Sequence, residues 1–291
     1  MMPNKTASRV EQIAGLADLQ ALPPIRTDLA DAKRDLDDYG LTRFAGAVSE
    51  QRLLRLRERL TAQAAGEEAC GKRWSEGPNQ RVWTLINKGE VFREWATNSV
   101  LLELMRHLLG QDLLLYSFTA NIAFQGGRPM PLHGDQQMHG LPHLPCSILA
   151  NSILMLVEFT EDNGATRVVP KTHRLGRWPV GPDQAPREVA ACGPAGTLLV
   201  YDGRLWHGTG ANSRPEPRYA LLTGYCRPFV RQQENLTLSV SPDVLELCPD
   251  ELRVLLGFQT WTGGGALGMV NGSLPGAISD RPVEFSAELN P

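Results

Sequence analysis

Tyr201-Asp-Gly-Arg-Leu-Trp-His207-Gly-Thr-Gly follows the apolar run Thr197–Tyr201 and leads into Ala211-Asn-Ser-Arg-Pro-Glu-Pro-Arg218-Tyr-Ala. A β run, an Asp-Gly turn and a histidine beyond it read as one strand folding back into another. Upstream, His133-Gly134-Asp135 comes after the strand-like run Leu113–Phe124 and a Gly-Gly-Arg-Pro turn. Residues i and i+2 of a strand project from the same face, so His133 and Asp135 can offer a nitrogen and an oxygen to one metal ion. Alone, a His-x-Asp pair is equally at home on a surface. His207 stands far beyond Asp135 in the chain, with several β-like runs between them. A third ligand at that separation fits a double-stranded β-helix, in which strands distant in sequence pair across the barrel.

The surrounding chain supports that architecture. Short β-like runs broken by Gly and Pro occupy Leu113–Phe124, Cys146–Phe159, Thr166–Val169, Thr197–Tyr201 and Tyr219–Phe229. Runs of this kind suggest a sandwich, barrel or jelly roll instead of alternating βα units. Before them, Asp28–Asp38 is helical in composition and Gly40–Phe44 reads as a strand. Ser49 is a plausible N-cap for a helix to about Ala64, with Leu53, Leu56 and Leu60 on one face. A further helix, Ser99–Leu109, ends at Gly110, suited to a left-handed C′ position.

The predicted fold is therefore mainly β with packed helices, a cupin-like jelly-roll core. Residues 1–26 form an N-terminal arm, with a short helix at Arg9–Leu16, and 27–291 a single domain. That domain divides into a helical packing region at about 27–112, a β-helix core at about 113–230, and a C-terminal helix and tail at about 231–291, with the helix at Pro249–Leu256.

A net charge of −3 leaves no positive excess to attract a phosphate backbone, so nucleic acid is not an expected partner. The start of the chain, through Lys5, Arg9, Glu11 and Asp18, mixes charges with short apolar pieces, unlike a secretory signal. The longest apolar run, Ile153–Val157, is far too short to span a bilayer. Five scattered cysteines without a CxxC pair argue against a disulfide framework or a zinc ribbon. A cytoplasmic protein without membrane partners is expected.

Two imidazoles and one carboxylate on one side of a metal leave the opposite positions open, the facial triad suited to iron(II) and oxygen. A zinc hydrolase uses similar ligands, so the triad alone does not separate redox from hydrolytic chemistry. Arg218, a short loop past His207 at the start of the next strand-like run, favours the redox reading. A guanidinium there can bind the distal carboxylate of a dicarboxylate bidentately, while that molecule's 2-oxo acid end chelates the metal.

With these residues in place the chain resembles the phytanoyl-CoA dioxygenase family over roughly residues 35–230. The likeness includes Asp37-Asp-Tyr-Gly-Leu, Phe44-Ala-Gly-Ala-Val-Ser, His133-x-Asp135, Phe159-Thr-Glu-Asp-Asn-Gly-Ala-Thr166, Val169-Pro-Lys-Thr-His173, His207, Asn212-Ser213 and Arg218. It implies a double-stranded β-helix, iron(II), 2-oxoglutarate as co-substrate, O2, and oxidation of an unactivated C–H bond of a small molecule. It also implies Thr166 beside the 2-oxoglutarate, and a homodimer. Where the family has Pro-Gly-Ser-His this chain has Pro170-Lys-Thr-His173, so His173 is read as structural. Asn163-Gly-Ala-Thr and Leu256-Gly-Phe-Gln-Thr-Trp look like natural-product tailoring members. The alternatives are an acyl-CoA α-hydroxylase and, from another class, a catalytically inactive jelly-roll binding protein that retains a metal.

Trp83, Asn121 and His139 are the expected substrate-proximal residues. His139 and His143 lie near the triad, but further protein ligands would block the open positions that oxygen chemistry needs. Gly263-x-Gly265-x-x-Gly268 matches a dinucleotide fingerprint letter for letter, yet no apolar strand precedes it and Asn-Gly and Pro-Gly follow where a helix should begin.

Overall fold

A computed structural model describes residues 21–140, 142–179, 188–259 and 261. Its centre is an eight-stranded sheet in the order β1-β2-β9-β6-β11-β5-β4-β3, with a smaller sheet β10-β7-β8. The strands are β1 Ile25–Arg26, β2 Leu41–Phe44, β3 Trp74–Glu76, β4 Asn79–Val82, β5 Leu114–Ala123, β6 Leu149–Met155, β7 Thr166–Val169, β8 Val189–Ala190, β9 Leu198–Asp202, β10 Trp206–Thr209 and β11 Arg218–Cys226. All pair antiparallel except β1 with β2. Non-sequential neighbours such as β2-β9-β6-β11-β5 are the cross-barrel pairing that the distance between Asp135 and His207 requires.

The expected elements form, with shifted ends. Helix α1 (Leu29–Tyr39) is capped by Asp28, whose carboxylate accepts from the Asp31 amide. Helix α2 (Glu50–Ala69) is capped by Ser49 and runs past the expected Ala64 to Ala69, burying Leu56, Leu60 and Ala64. Helices α3 (Glu90–Ala96) and α4 (Ser99–Leu109) follow, and α5 (Leu236–Ser239), α6 (Pro242–Glu246) and α7 (Asp250–Leu256) close the described chain. Half of the large sheet's strands, β1 to β4, come from before residue 113, the stretch read as helical packing and arm. Of these β2 is the strand expected at Gly40–Phe44, while β1, β3 and β4 are too short for a period-2 pattern to register. The arm's Arg9–Leu16 helix and the Gly263-x-Gly265-x-x-Gly268 segment lie outside the described residues.

Strand alternation divides the large sheet into two faces. Ala150 and Leu154 of β6, Leu198 and Val200 of β9, and Leu221 and Tyr225 of β11 face a core shared with Leu56, Phe92, Trp95, Leu102 and Leu252 of the helices. Two buried hydrogen bonds tie α3 to β11: Trp95 Nε1 donates to Thr223 Oγ1 at 3.1 Å, and the Tyr225 hydroxyl donates to the Ala96 carbonyl at 2.6 Å. The opposite face carries Asn151, Ile153, Tyr201 and Leu222. In β5 the register shifts opposite Gly224/Tyr225, so that Ser117 pairs with Gly224 and Leu115 with Tyr225. This bulge lets the consecutive residues Tyr116 and Ser117 both reach the second face.

The small sheet is joined to the segment before Asp135 along β10. Met130 N donates to Thr209 O, and His133 exchanges both backbone hydrogen bonds with His207 at 2.9 Å. This approach requires Gly208: a Cβ there would lie 2.6 Å from the Met130 carbonyl oxygen and 3.2 Å from that of Pro131. Gly208→Ala is therefore expected to lower stability by about 1–3 kcal/mol, as overpacking does. It should also weaken divalent-metal uptake by pushing the His133 segment off β10. Thermal melting and a Co(II) titration of the purified variant check both effects.

Candidate metal and co-substrate site

His133, Asp135 and His207 come together as the spacing predicts. Their ligand atoms lie within 4.8 Å of one another, the one such group among the described residues. His133 Nε2 is 3.7 Å from Asp135 Oδ1 and His207 Nε2 is 3.5 Å from Asp135 Oδ2, with the two rings 4.5 Å apart. The local reason differs from the strand expected for His133-Gly-Asp. His133 belongs to a single bridge opposite His207, Gly134 is extended at φ −110° and ψ 137°, and Asp135 begins a 3-10 turn, Asp135–His139. One extended residue between them suffices to bring His133 and Asp135 to the same side.

Both imidazoles are set for ligation. His133 Nδ1 lies 3.0 Å from the Pro131 carbonyl and His207 Nδ1 3.0 Å from that of Leu205. Carbonyl oxygens only accept, so each Nδ1 carries the proton and each Nε2 keeps its lone pair for a metal. Burial lowers the His207 pKa against the opposing pull of Asp135, which favours the neutral, ligating form. The Asp135 turn is anchored by Gln136, whose backbone N–H donates to Gly203 O at 3.0 Å and whose side-chain oxygen accepts from Ile148 N at 2.8 Å. Donor type, tautomer and mutual distance all fit a divalent metal.

The triad opens on a cavity of about 620 Å³ walled by both sheets. Thr166, Thr209, Ile153 and Leu222 line it, together with Tyr116 and Tyr201. Trp83 is on this wall, as expected for a residue near substrate, beside Arg81 and Glu76. Arg81 contacts Glu76 through Nε and Nη2, both at 3.3 Å, and its guanidinium lies 5.9 Å from the Trp83 ring. Trp74 packs edge-on against Trp83 at 6.3 Å.

Arg218 is only 2 % exposed and opens β11. Its Nη2 donates to Asn121 Oδ1 at 2.8 Å, its guanidinium lies 4.6 Å over the Phe159 ring, and its Nε has no partner. No ion pair reaches it among the described residues, and burial, reinforced by the charge of Arg81, pulls its pKa down to about 9. Arg218 does not itself wall the cavity, whereas Thr166 does. Asn121 also departs from expectation: it is bonded to Arg218 and is absent from the cavity wall. As the register partner of Arg81 and a site-face residue of β5, it meets a charge before it can meet a substrate. The side chain of His139 lies outside the described residues. His143 packs on Trp178 at 4.7 Å and is not in the ligand group. His173 is buried, with Nε2 3.1 Å from the Asp37 carbonyl and a pKa lowered by burial to about 4, the structural role expected of it.

Sequence reasoning missed Asn151, whose Nδ2 donates to Asp135 Oδ2 at 2.5 Å. The available signal was an amide in the apolar strand Leu149–Met155, where a polar side chain must be satisfied locally. It missed Tyr201 too, whose ring lies 4.6 Å from that of His207.

Comparison with known proteins bears on these residues. The family model for phytanoyl-CoA dioxygenase matches residues 36–220. The dioxygenase af480 of Aspergillus fumigatus is 32 % identical over 238 residues, covering 79 % of this chain and 77 % of its own. The fold is similar to that of the epimerase SnoN in complex with Fe3+, alpha ketoglutarate and nogalamycin RO, at TM-score 0.56 and 20 % identity over 74 % of this chain and 90 % of that one. It is similar also to EctD from S. alaskensis with bound Fe, at TM-score 0.59 and 20 % identity over 74 % and 84 %. Replacing His133 or His207 with Ala is expected to abolish Co(II) binding while the chain stays folded, because each removes one ligand from a site at the end of the barrel. Titration with Co(II), with circular dichroism as the control, measures this.

Proposed function

This chain belongs to the phytanoyl-CoA dioxygenase family, and we propose that it is an iron(II)- and 2-oxoglutarate-dependent dioxygenase of secondary metabolism. It oxidises a C–H bond of a small organic molecule and releases succinate and carbon dioxide. The observation that carries this reading is Arg218, a buried cation with no acidic partner among the described residues, in the same chain fold as a His-Asp-His group. A desolvated charge paired only with a neutral amide is costly unless an anion joins it, and a dicarboxylate co-substrate supplies one.

Each part of the site has a task. His133, Asp135 and His207 hold the metal from one side. When bound, iron(II) activates oxygen at the expense of 2-oxoglutarate. Arg218 takes the distal carboxylate through its planar fork, and Thr166, which lines the cavity, supports the reading of a hydroxyl partner beside it. Leu149, Ile153, Leu222 and Tyr201 exclude water from the reacting centre. Trp83, Arg81 and Glu76 form the part of the wall left for the substrate. A cavity of about 620 Å³ that must also hold the co-substrate limits that substrate to a small molecule. SnoN, solved with nogalamycin RO, supports a natural-product substrate class. Among the described residues no helix is long and apolar enough to cross a membrane. The free cysteines fit a cytoplasmic location, and a homodimer completes the reading.

Anaerobic addition of iron(II) and 2-oxoglutarate should give a metal-to-ligand charge-transfer band, and its absence sinks the proposal. Arg218→Ala should raise the apparent 2-oxoglutarate KM at least about tenfold, since truncating a buried charge pair costs about 2–5 kcal/mol and tenfold is about 1.4. An unchanged KM places the carboxylate site elsewhere. No chloride should be transferred to substrate even in high salt, because the Asp135 carboxylate fills the coordination position a halide would need. Product mass spectrometry, once succinate release has identified a substrate, would expose an error here.

A further inference from the structure

Asn151 lies mid-strand in β6 on the site face, opposite Gly224 of β11 on one side and Tyr201 of β9 on the other. Gly224 in turn pairs with Ser117 of β5. The Asn151 amide meets Asp135 Oδ2 at 2.5 Å. An ionised carboxylate only accepts, so the amide nitrogen faces it and the amide oxygen must point elsewhere. That oxygen occupies the place where a side chain at Gly224 would be: a methyl group built there runs into it, with Ser117 Oγ 3.3 Å and Tyr116 Cδ1 3.4 Å away. Gly224 has no positive φ to account for a glycine, so the space above it is what the position provides.

The two oxygens of Asp135 are therefore unequal. Oδ2 is tied to the amide, and Oδ1 has no hydrogen bond to another side chain among the described residues. Resting on the reading of His133, Asp135 and His207 as metal ligands, we propose that Asn151 is a positioning residue that limits Asp135 to ligation through one oxygen. We propose further that Gly224 is the accommodation for its amide. A carboxylate turning to chelate would take a second coordination position. The site needs three positions open, two for a bidentate 2-oxo acid and one for oxygen. Hydrogen bonds that orient a ligating carboxylate are typically worth about 10–100-fold in metal affinity or activity.

The test uses Co(II) alone as the probe, titrated into the full chain in competition with a chromophoric chelator. Metal-free melting temperatures establish that each variant is folded. Asn151→Leu keeps the volume and removes the donor. It should bind Co(II) about 10–100-fold more weakly and change the cobalt d–d spectrum. Gly224→Ala should weaken binding in the wild-type background by displacing the amide. In an Asn151→Ala background, where no amide remains to displace, the same change should have an effect of less than about twofold, the non-additivity of a coupled pair. A merely structural role for Gly224 would cost the same in both backgrounds, and that result overturns the proposal. So does an Asn151→Leu protein with wild-type affinity and spectrum. Wild-type protein that takes up no Co(II) removes the metal centre itself, an outcome distinct from a metal site indifferent to Asn151.

Discussion

The antiparallel bridge between His133 and His207 is the join on which the site depends. Each residue donates its backbone N–H to the other's carbonyl at 2.9 Å, so segments far apart in the chain are held at strand spacing. Side chains directly opposite in such a pair project to the same side, which places the two rings 4.5 Å apart without any help from the metal. Asp135 follows after one extended glycine, and its turn is locked by Gln136 to both the β9–β10 turn and the start of β6. Geometry of this kind is set by backbone hydrogen bonds before a ligand arrives, which keeps the reorganisation on binding small.

The large sheet serves the site by separating chemistry from stability. One face is given over to the helices and their apolar core, while the other buries a second apolar cluster and lines the cavity with Arg81, Tyr116, Ser117, Asn151, Tyr201 and Leu222. The bulge in β5 exchanges a regular ladder for two consecutive site-facing residues, Tyr116 and Ser117. Buried polar atoms on that face are satisfied locally: Asn151 by Asp135, and Asn121 by Arg218. Arg218 Nε is among the buried polar atoms without a partner among the described residues, as is Gln136 Nε2.

Electrostatics gives the two ends of the site different characters. At the metal end a carboxylate lies between two imidazoles, with burial lowering the pKa of His207. At the other end two arginines, Arg81 and Arg218, are close enough that the charge of one lowers the pKa of the other. Arg81 is compensated by Glu76 and Arg218 is not. That asymmetry is what supports the proposal of Arg218 as the co-substrate's partner, while Arg81 and Trp83 line the cavity.

Much of this was legible in the chain itself. Short β-like runs broken by Gly and Pro marked β5, β6, β7, β9 and β11, the Ser49 cap marked α2, and His133, Asp135 and His207 were legible as one ligand group, because local propensity and ligand type are carried by the residues concerned. The short strands β1, β3 and β4, the bulge in β5 and the partnership of Asn151 with Asp135 were not, since a strand so short takes its identity from the sheet that receives it. Trp83, expected near substrate, lines the cavity, whereas Asn121, expected there too, has its amide against Arg218 and is absent from the cavity wall. Nor could a residue list tell that Arg218 would be buried without a counter-ion. Desolvation and pairing are properties of an environment assembled from β4, β5 and β11, and only the tertiary structure brings those strands together.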